Sequence, residues 1–460
     1  MQEIIDGINS LMSMYLLIPA LLFAGVFFSV KTKFVQFTYF KEMLRLLTEG
    51  ATDKTEGISS FQAFTVSLGS RVGTGNMAGV ALAIVAGGAG AVFWMWVIAL
   101  IGAASAFAES TLAQIYKEKE AGGTFKGGPA YYMQNALKSR NMGIAFAILI
   151  TLCYGFVFNA VQSNTISSAF QNSFAIDQNL MAGVMVLFTG LIIFGGIRRI
   201  AKFTNIVVPF MAVLYLLVVF YVLLINFTEI PGLLLGIVEQ AFGLKEAVGG
   251  SLGAALAQGI KRGLFSNEAG MGSAPNAAAT ADVSHPVKQG LIQALGVFTD
   301  TMVICTATAL LILIAGNHGA GTADGIELTQ LSLESEVGSW GSTFVACCIF
   351  LFAFSSVIGN YYYGESNIRF ISDKPRNILL YRVAVLGMVI FGSIASSTVV
   401  WGLADITMIA MALLNLYAIV RLSKIVVLAL RDYRDKRKKG IPLTFKGQDI
   451  GVESDTTCWD

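Results

Sequence analysis

Charge is scarce in this chain. Of 460 residues only 13% are Asp, Glu, Lys or Arg and 55% are apolar, where a soluble domain carries about 25% charge and about 45–50% apolar residues. With a mean hydropathy of +0.68, the composition excludes a soluble enzyme, a disordered tail and a collagen-like rod. Five cysteines, with Cys347 and Cys348 adjacent, are too few and too apolar in context for a disulfide framework or a four-ligand zinc site. The two histidines, His285 and His318, leave a catalytic zinc almost without ligands. No phosphate-binding Gly-x-x-x-x-Gly-Lys-Ser/Thr run occurs, which removes nucleotide hydrolysis as a power source, and no nucleophile and base can be paired for catalysis.

What the chain has in abundance is long apolar runs. A bilayer core of about 30 Å needs roughly 20 apolar residues as a helix. Eleven such stretches run at 11–30, 61–86, 91–116, 144–170, 180–197, 204–227, 248–280, 288–316, 340–368, 377–397 and 400–430. The first has no small-residue cleavage site after it and reads as a retained anchor. Of the 31 Lys and Arg residues, twenty-six fall in the segments 31–60, 117–143, 198–203, 281–288, 369–376 and the tail from Arg421, whereas the opposite side holds only Lys245. Positive charge accumulates on the cytoplasmic face, so a multi-pass protein of the cell membrane is expected, N-terminus outside and C-terminus cytoplasmic. The tail beyond Arg431, with its basic run Lys436 to Lys439, reads as a solvated segment attracted to anionic lipid.

Two spans are atypical. One carries Gly69-Ser-Arg-Val-Gly-Thr-Gly-Asn76 in its middle and the other Lys261-Arg-Gly-Leu-Phe-Ser-Asn-Glu-Ala-Gly270. At an offset of 191, Arg71 aligns with Arg262, Asn76 with Asn267, Gly79 with Gly270, Phe107 with Phe298 and Glu109 with Asp300, and eleven of the forty positions from 71 to 110 are identical. Four intact spans separate the two, so they enter the bilayer from opposite sides. The expected fold is therefore all-α and membrane-embedded, eleven transmembrane helices in a five-plus-five inverted repeat. Residues 1–60 carry an extra N-terminal helix, 61–227 and 248–430 the two repeats, and 431–460 a cytoplasmic tail. Interrupted spans at matching positions of inverted halves point to a secondary transporter's midplane site.

In hydrocarbon an unpaired peptide group costs several kcal/mol, so a span breaks at mid-depth only where a ligand, ion or cavity satisfies the freed groups. The half helix beginning near Asn76 would offer the amides of Thr74, Gly75 and Asn76 and its positive dipole end to a carboxylate. The half helix ending near Arg71 would offer the carbonyls of Gly69, Arg71 and Val72 to a monovalent cation. In the second repeat Phe265, Ser266 and Asn267 stand in the matching place, with carbonyls for an ammonium group and a ring to close the pocket. Gln162, Asn159 and Trp401 are candidate pocket walls.

Charges inside spans are costly and usually paired. Arg71 lies about 15 Å into its span, at a depth comparable to Glu109, so an Arg71–Glu109 pair is expected, with Arg262–Asp300 as its counterpart, either bolting helices together or gating opposite mouths. Glu268 is a candidate for hydrogen-bonding the second break or for carrying a coupling proton. Ser355 and Ser356 either bond back to their own helix or serve as hard oxygen ligands for a small cation.

The runs Gly73-Thr-Gly-Asn-Met-Ala-Gly79, Ala91-Val-Phe-Trp-Met-Trp96, Gly127-Gly-Pro-Ala-Tyr-Tyr132 and Ser266-Asn-Glu-Ala-Gly-Met-Gly272 resemble the alanine or glycine:cation symporters (sodium:alanine symporters) from about residue 11 to 430. The resemblance implies the leucine-transporter-like fold, Na+ as the co-transported ion, and L- or D-alanine, glycine or a similar small neutral amino acid as substrate, with no nucleic acid and no obligatory protein partner. The segment 69–76 also resembles the first core helix of the bacterial leucine transporter, and Ser355-Ser356 its eighth. That likeness implies a sodium site from the carbonyls of Gly69 and Val72 and the hydroxyls of Ser355 and Ser356. It also gives the substrate carboxylate to the amides of Thr74 and Gly75. Asn76 would belong to a second sodium site, from which Arg71 departs by replacing a small residue. A proton-coupled amino-acid permease of the same fold is the alternative.

Overall fold

The computed structural model describes residues 7, 9–50, 57–120, 122–244, 251–318, 323, 325–452 and 456–459. Lys54, Lys245 and the start of the expected span at 248–250 lie outside them. Each of the eleven expected stretches holds helix. Among the described residues, eight helices are long and apolar enough to cross a membrane: α1 (Asn9–Lys31), α4 (Gly90–Ile115), α5 (Arg140–Phe174), α7 (Gly196–Ile225), α11 (Pro286–Ala315), α13 (Trp340–Ile371), α14 (Pro375–Ile394) and α15 (Ser397–Arg421). Between them lie α2 (Ser60–Arg71), α3 (Gly75–Gly87) and α6 (Gln178–Ile193), then α8 (Ile230–Ala241), α9 (Leu252–Asn267) and α10 (Ala274–Ala278), and finally α12 (Gly325–Val337) and α16 (Ser423–Lys439). Helices α7, α14 and α1 turn large apolar side chains outward, among them Ile206, Phe210, Leu217, Leu379, Phe23 and Val30. That is the surface lipid covers, whereas α2, α3, α10 and the second half of α9 are buried almost throughout.

Both atypical spans are broken, and the sequence supplies starts and stops. Helix α2 opens on a capping box, in which Gln62 N donates to Ser59 Oγ (3.2 Å) and Ser59 N to Gln62 Oε1 (3.0 Å). It ends where Val72 turns extended, and helix resumes at Gly75 with a wide i→i+5 turn over Gly75–Gly79. Helix α9 starts from the Ser251 cap and ends at Asn267, after which Glu268 (φ 58°), Gly270 (φ 84°) and Gly272 (φ 84°) carry the chain through left-handed backbone before α10. Gly admits such angles without strain, so the glycine run is what lets the second span come undone.

Three features depart from the sequence reading. The last stretch, expected to run 400–430, divides at Leu422 into α15 and the amphipathic α16, which carries Lys424 and the charged run from Arg431 to Lys439. Helices α8 and α12 were absent from the expectation, since each is short and carries acidic residues. Helix α12 nevertheless packs inward, with Thr329 Oγ1 donating to Met77 O (3.3 Å). A two-stranded hairpin, β1 (Glu118–Glu120) with β2 (Thr124–Lys126), interrupts the all-helical pattern.

The tail corrects the expectation of a freely solvated segment. Phe445 N donates to Ser284 O (3.0 Å), Trp459 Nε1 donates to Gln114 O (2.9 Å), and the Lys117 ammonium lies 4.8 Å from the Trp459 ring centre. Two aromatic residues among polar ones supply the apolar contact that draws the tail back. His285 joins this layer: its Nδ1 accepts from Val287 N (3.2 Å) and its Nε2 faces Asp432 Oδ2 (3.1 Å), with the rings of Tyr433 and Phe445 on its flanks. Burial pushes His285 below the ordinary imidazole range, while Asp432 pulls the other way. The folded state then refuses a proton that the unfolded chain accepts, so this layer's stability is complete above about pH 6.5 and declines as pH falls below it. The protection of α16 amides, measured relative to their intrinsic exchange rate at each pH, is expected to fall between about pH 7.5 and 5.5, and H285Q, which cannot protonate, is expected to flatten that response.

Candidate transport site

The two breaks meet. Ser266 stands so close behind Gly75 that a side chain on Gly75 would come within 2.9 Å of the Ser266 Cα and 3.2 Å of the Phe265 ring. Gly73 is hemmed in by Ser356 Oγ and Gln162 Oε1 in the same way. At Gly75 the obstacle is backbone, so glycine is required there by approach, not by turn geometry.

Around Gly73 the freed peptide groups have side-chain partners. Gly73 N donates to Asn76 Oδ1 (2.9 Å) and Thr74 N to Gln162 Oε1 (3.0 Å). On the other side of the break, Ser355 Oγ donates to Gly69 O (3.1 Å), while Ser356 Oγ reaches both Gly69 O (3.0 Å) and Val72 O (3.4 Å). Four oxygens from two elements thus converge in a fully buried place. Phe352 O, one turn back in α13, lies within hydrogen-bonding distance of the same two hydroxyls, so each single proton has alternative acceptors. Phe265 lies between Phe158 (ring centres 4.5 Å apart) and Trp401 (4.6 Å), forming an aromatic layer over Ser266. Asn267 is occupied elsewhere, donating to Thr301 Oγ1 and accepting from Ala269 N. Asn159 donates to Gly155 O within its own helix.

The expected ion pairs do not form. Arg71 donates through Nη1 to Gln293 O (3.2 Å), and Glu109 instead accepts from Gly270 N (3.2 Å), Gly272 N (3.0 Å) and Asn415 Nδ2 (2.7 Å). Arg262 pairs with Asp405 (2.7 Å), which Lys261 also reaches (3.0 Å). Asp300 accepts from Asn76 Nδ2 (2.6 Å), Ser266 Oγ (2.8 Å) and Thr301 Oγ1 (2.8 Å). The physical reason is packing: Glu109 on α4 lies against the second break, and Asp300 on α11 lies between the two, touching Asn76 of the first and Ser266 of the second. Glu109 holds the loop at 270–272, and Asp300 holds the turn at Asn76. Glu268 fastens the two breaks to each other, accepting from Ser70 Oγ (2.9 Å) and Ser273 Oγ (2.7 Å).

Arg71, Glu109, Glu268 and Asp300 are all at most 2% exposed, so three carboxylates and one guanidinium share the middle of the protein. Cys305 is a site residue that the sequence analysis did not single out: its Sγ lies 3.3 Å from Asn76 Nδ2 and 3.2 Å from Ser266 Oγ. The signal available was its spacing, five residues after Asp300, across the wide turn Phe298–Cys305. Turns of that kind favour functional sites.

A helical membrane protein whose two broken spans meet at a buried cluster of peptide groups, hydroxyls and carboxylates is a secondary transporter. Residues 1–447 match the sodium:alanine symporter family, and the chain belongs to it. It is accordingly a transporter rather than an enzyme, with Na+ as the co-transported ion. Among its relatives, a probable sodium/glutamine symporter of Bacillus subtilis is 52% identical, covering 100% of this chain and 97% of its own. A sodium/alanine symporter of Methanococcus maripaludis is 37% identical over 95% and 98%. Among solved structures, a Na+-coupled sialic acid symporter superposes with a TM-score of 0.51 at 14% identity, covering 93% of this chain and 96% of its own. A manganese transporter of Eremococcus coleocola does so at 0.52 and 14%, over 89% and 87%. Both show the fold alone.

Proposed function

We propose that this chain is a sodium-driven importer of small neutral amino acids, alanine or glycine, working by alternating access through eleven spans in a five-plus-five inverted repeat with one helix ahead of it. The N-terminus lies outside and the C-terminus in the cytoplasm. The observation that carries the reading is the convergence of the Ser355 and Ser356 hydroxyls on the carbonyls of Gly69 and Val72. Hydroxyl and carbonyl oxygens without a carboxylate suit a bare monovalent cation. The placement of Glu109 and Asp300 supports the repeat, since residues 191 positions apart each reach the break of the other half.

The substrate carboxylate is assigned to the amides of Thr74 and Gly75, at the positive end of α3. Gln162 Oε1 lies on Thr74 N, where a carboxylate oxygen would lie. Turning that amide over frees the N–H and aims Nε2 at the same anion. Phe265 and Ser266 then close the other side, and an ammonium group is left facing carbonyls. One Na+ crossing about 100 mV contributes roughly 2.3 kcal/mol, and a tenfold concentration gradient about 1.4 more, together enough for a several-hundredfold substrate gradient.

Uptake of labelled alanine and glycine into proteoliposomes decides the matter. With an inward sodium gradient, saturable uptake is expected to exceed that in sodium-free buffer by at least tenfold. Uptake driven equally by a proton gradient without sodium would replace this reading with the proton-coupled alternative.

A further inference from the structure

Where α1 ends at Lys31, a cavity of about 540 Å³ opens between the chain turning at residues 31–39 and helix α16. Six cations line it: Lys31, Lys33, Arg431, Arg434, Arg437 and Lys438, with no carboxylate among the lining residues. Two of the six, Arg434 and Arg437, meet an acid that lies outside the lining. Asp432 holds His285 and Lys436, and Glu42 holds Arg45, Arg437 and Tyr433. Asp435 lies 3.6 Å from Arg434 Nε. Among the described residues Lys31, Lys33, Arg431 and Lys438 have no ion-pair partner. Cations packed this densely raise a positive potential that an anion must relieve.

A second observation selects the anion. The surface beside the cavity is apolar and uncovered: Val26, Val30, Phe34 and Phe37 are each at least half exposed. Val26 and Val30 belong to the span itself, so the greasy strip runs from the hydrocarbon up to the cationic rim. A free phosphate uses the rim only, whereas a phospholipid uses both. Basic pockets beside membrane helices suit acidic headgroups.

We propose that this cavity binds the headgroup of an anionic phospholipid whose acyl chains lie along α1. The site is independent of the transport reading. Occupation would tie α16 to α1 at the level where α16 also holds His285 through Asp432 and the segment at Glu42 through Tyr433.

The full chain, purified in neutral detergent, is titrated with phosphatidylglycerol, phosphatidylcholine or inorganic phosphate and examined by native mass spectrometry and thermal melting. Phosphatidylglycerol is expected to leave one retained adduct and to raise Tm, and the other two are expected to do neither. Each cation removed is expected to weaken retention about fivefold. Thus K33Q with R434Q lowers it about 25-fold, K33R with R434K preserves it, and R199Q with K202Q, at another basic segment, leaves it unchanged. Equal retention in the first double variant, equal loss in the remote control, or an equal Tm rise with inorganic phosphate would overturn the proposal. The charge-conserving variant separates loss of charge from loss of fold.

Discussion

Replacing Ser355 and Ser356 together with alanine is expected to raise the sodium concentration for half-maximal uptake by about 100-fold or more, with each single variant near tenfold. A hydrogen-bond-strength contact to a charged group contributes about 1.5–3 kcal/mol, and two of the four converging oxygens disappear in the double variant. Because coupling is reciprocal, apparent alanine affinity at fixed sodium is expected to fall by the same factor and to recover at high sodium. The competing account is that both hydroxyls merely bond back to Phe352 O. On that account their removal leaves helix α13 intact and the sodium dependence unmoved. Sodium-activation curves of the three variants in proteoliposomes therefore distinguish a cation site from a local helix feature.

The second large effect is on folding. Glu109 accepts three N–H groups in a place with no exposure. Glutamine in its stead turns one acceptor oxygen into a donor facing another donor, and leaves buried peptide groups of the 270–272 loop unpaired. The cost is on the order of 3–5 kcal/mol, seen as a drop in Tm on the order of 5 °C in detergent. Exchanging the charges, R71E with E109R, is expected not to rescue the protein, because the two residues serve different partners. Rescue by that exchange would restore the direct pair that their equal depth suggested.

Arg71 and Glu109 also show where a linear chain stops being informative. Depth along the bilayer normal is estimated by counting residues, which gave both the same expected level, and the structure buries both. Which way each side chain faces depends on helix rotation, and which helix it meets depends on packing. Neither is written in a hydropathy pattern. The same holds for Arg262, whose acid proved to be Asp405 on α15, 143 residues away, and for Cys305, whose thiol reached the site only because α11 loosens into a wide turn beside Asp300. By contrast the breaks were legible, since clustered glycines, Gly73 and Gly75 in one span and Gly270 and Gly272 in the other, weaken helix and admit the backbone angles a break requires. The meeting of Ser355 and Ser356 with Gly69 and Val72 was reached through family resemblance, not spacing.

By itself, then, the sequence determined that this is a membrane protein, where its apolar stretches lie and which two of them come apart. These are local properties, fixed by the solubility of side chains in hydrocarbon and by backbone freedom at glycine. Tertiary structure alone decided that each broken span is held by the acid of the opposite half, that Gln162 covers the Thr74 amide, and that the basic tail folds back to enclose a cationic cavity. Those outcomes depend on distances between residues hundreds of positions apart, and only packing brings such groups within hydrogen-bonding range.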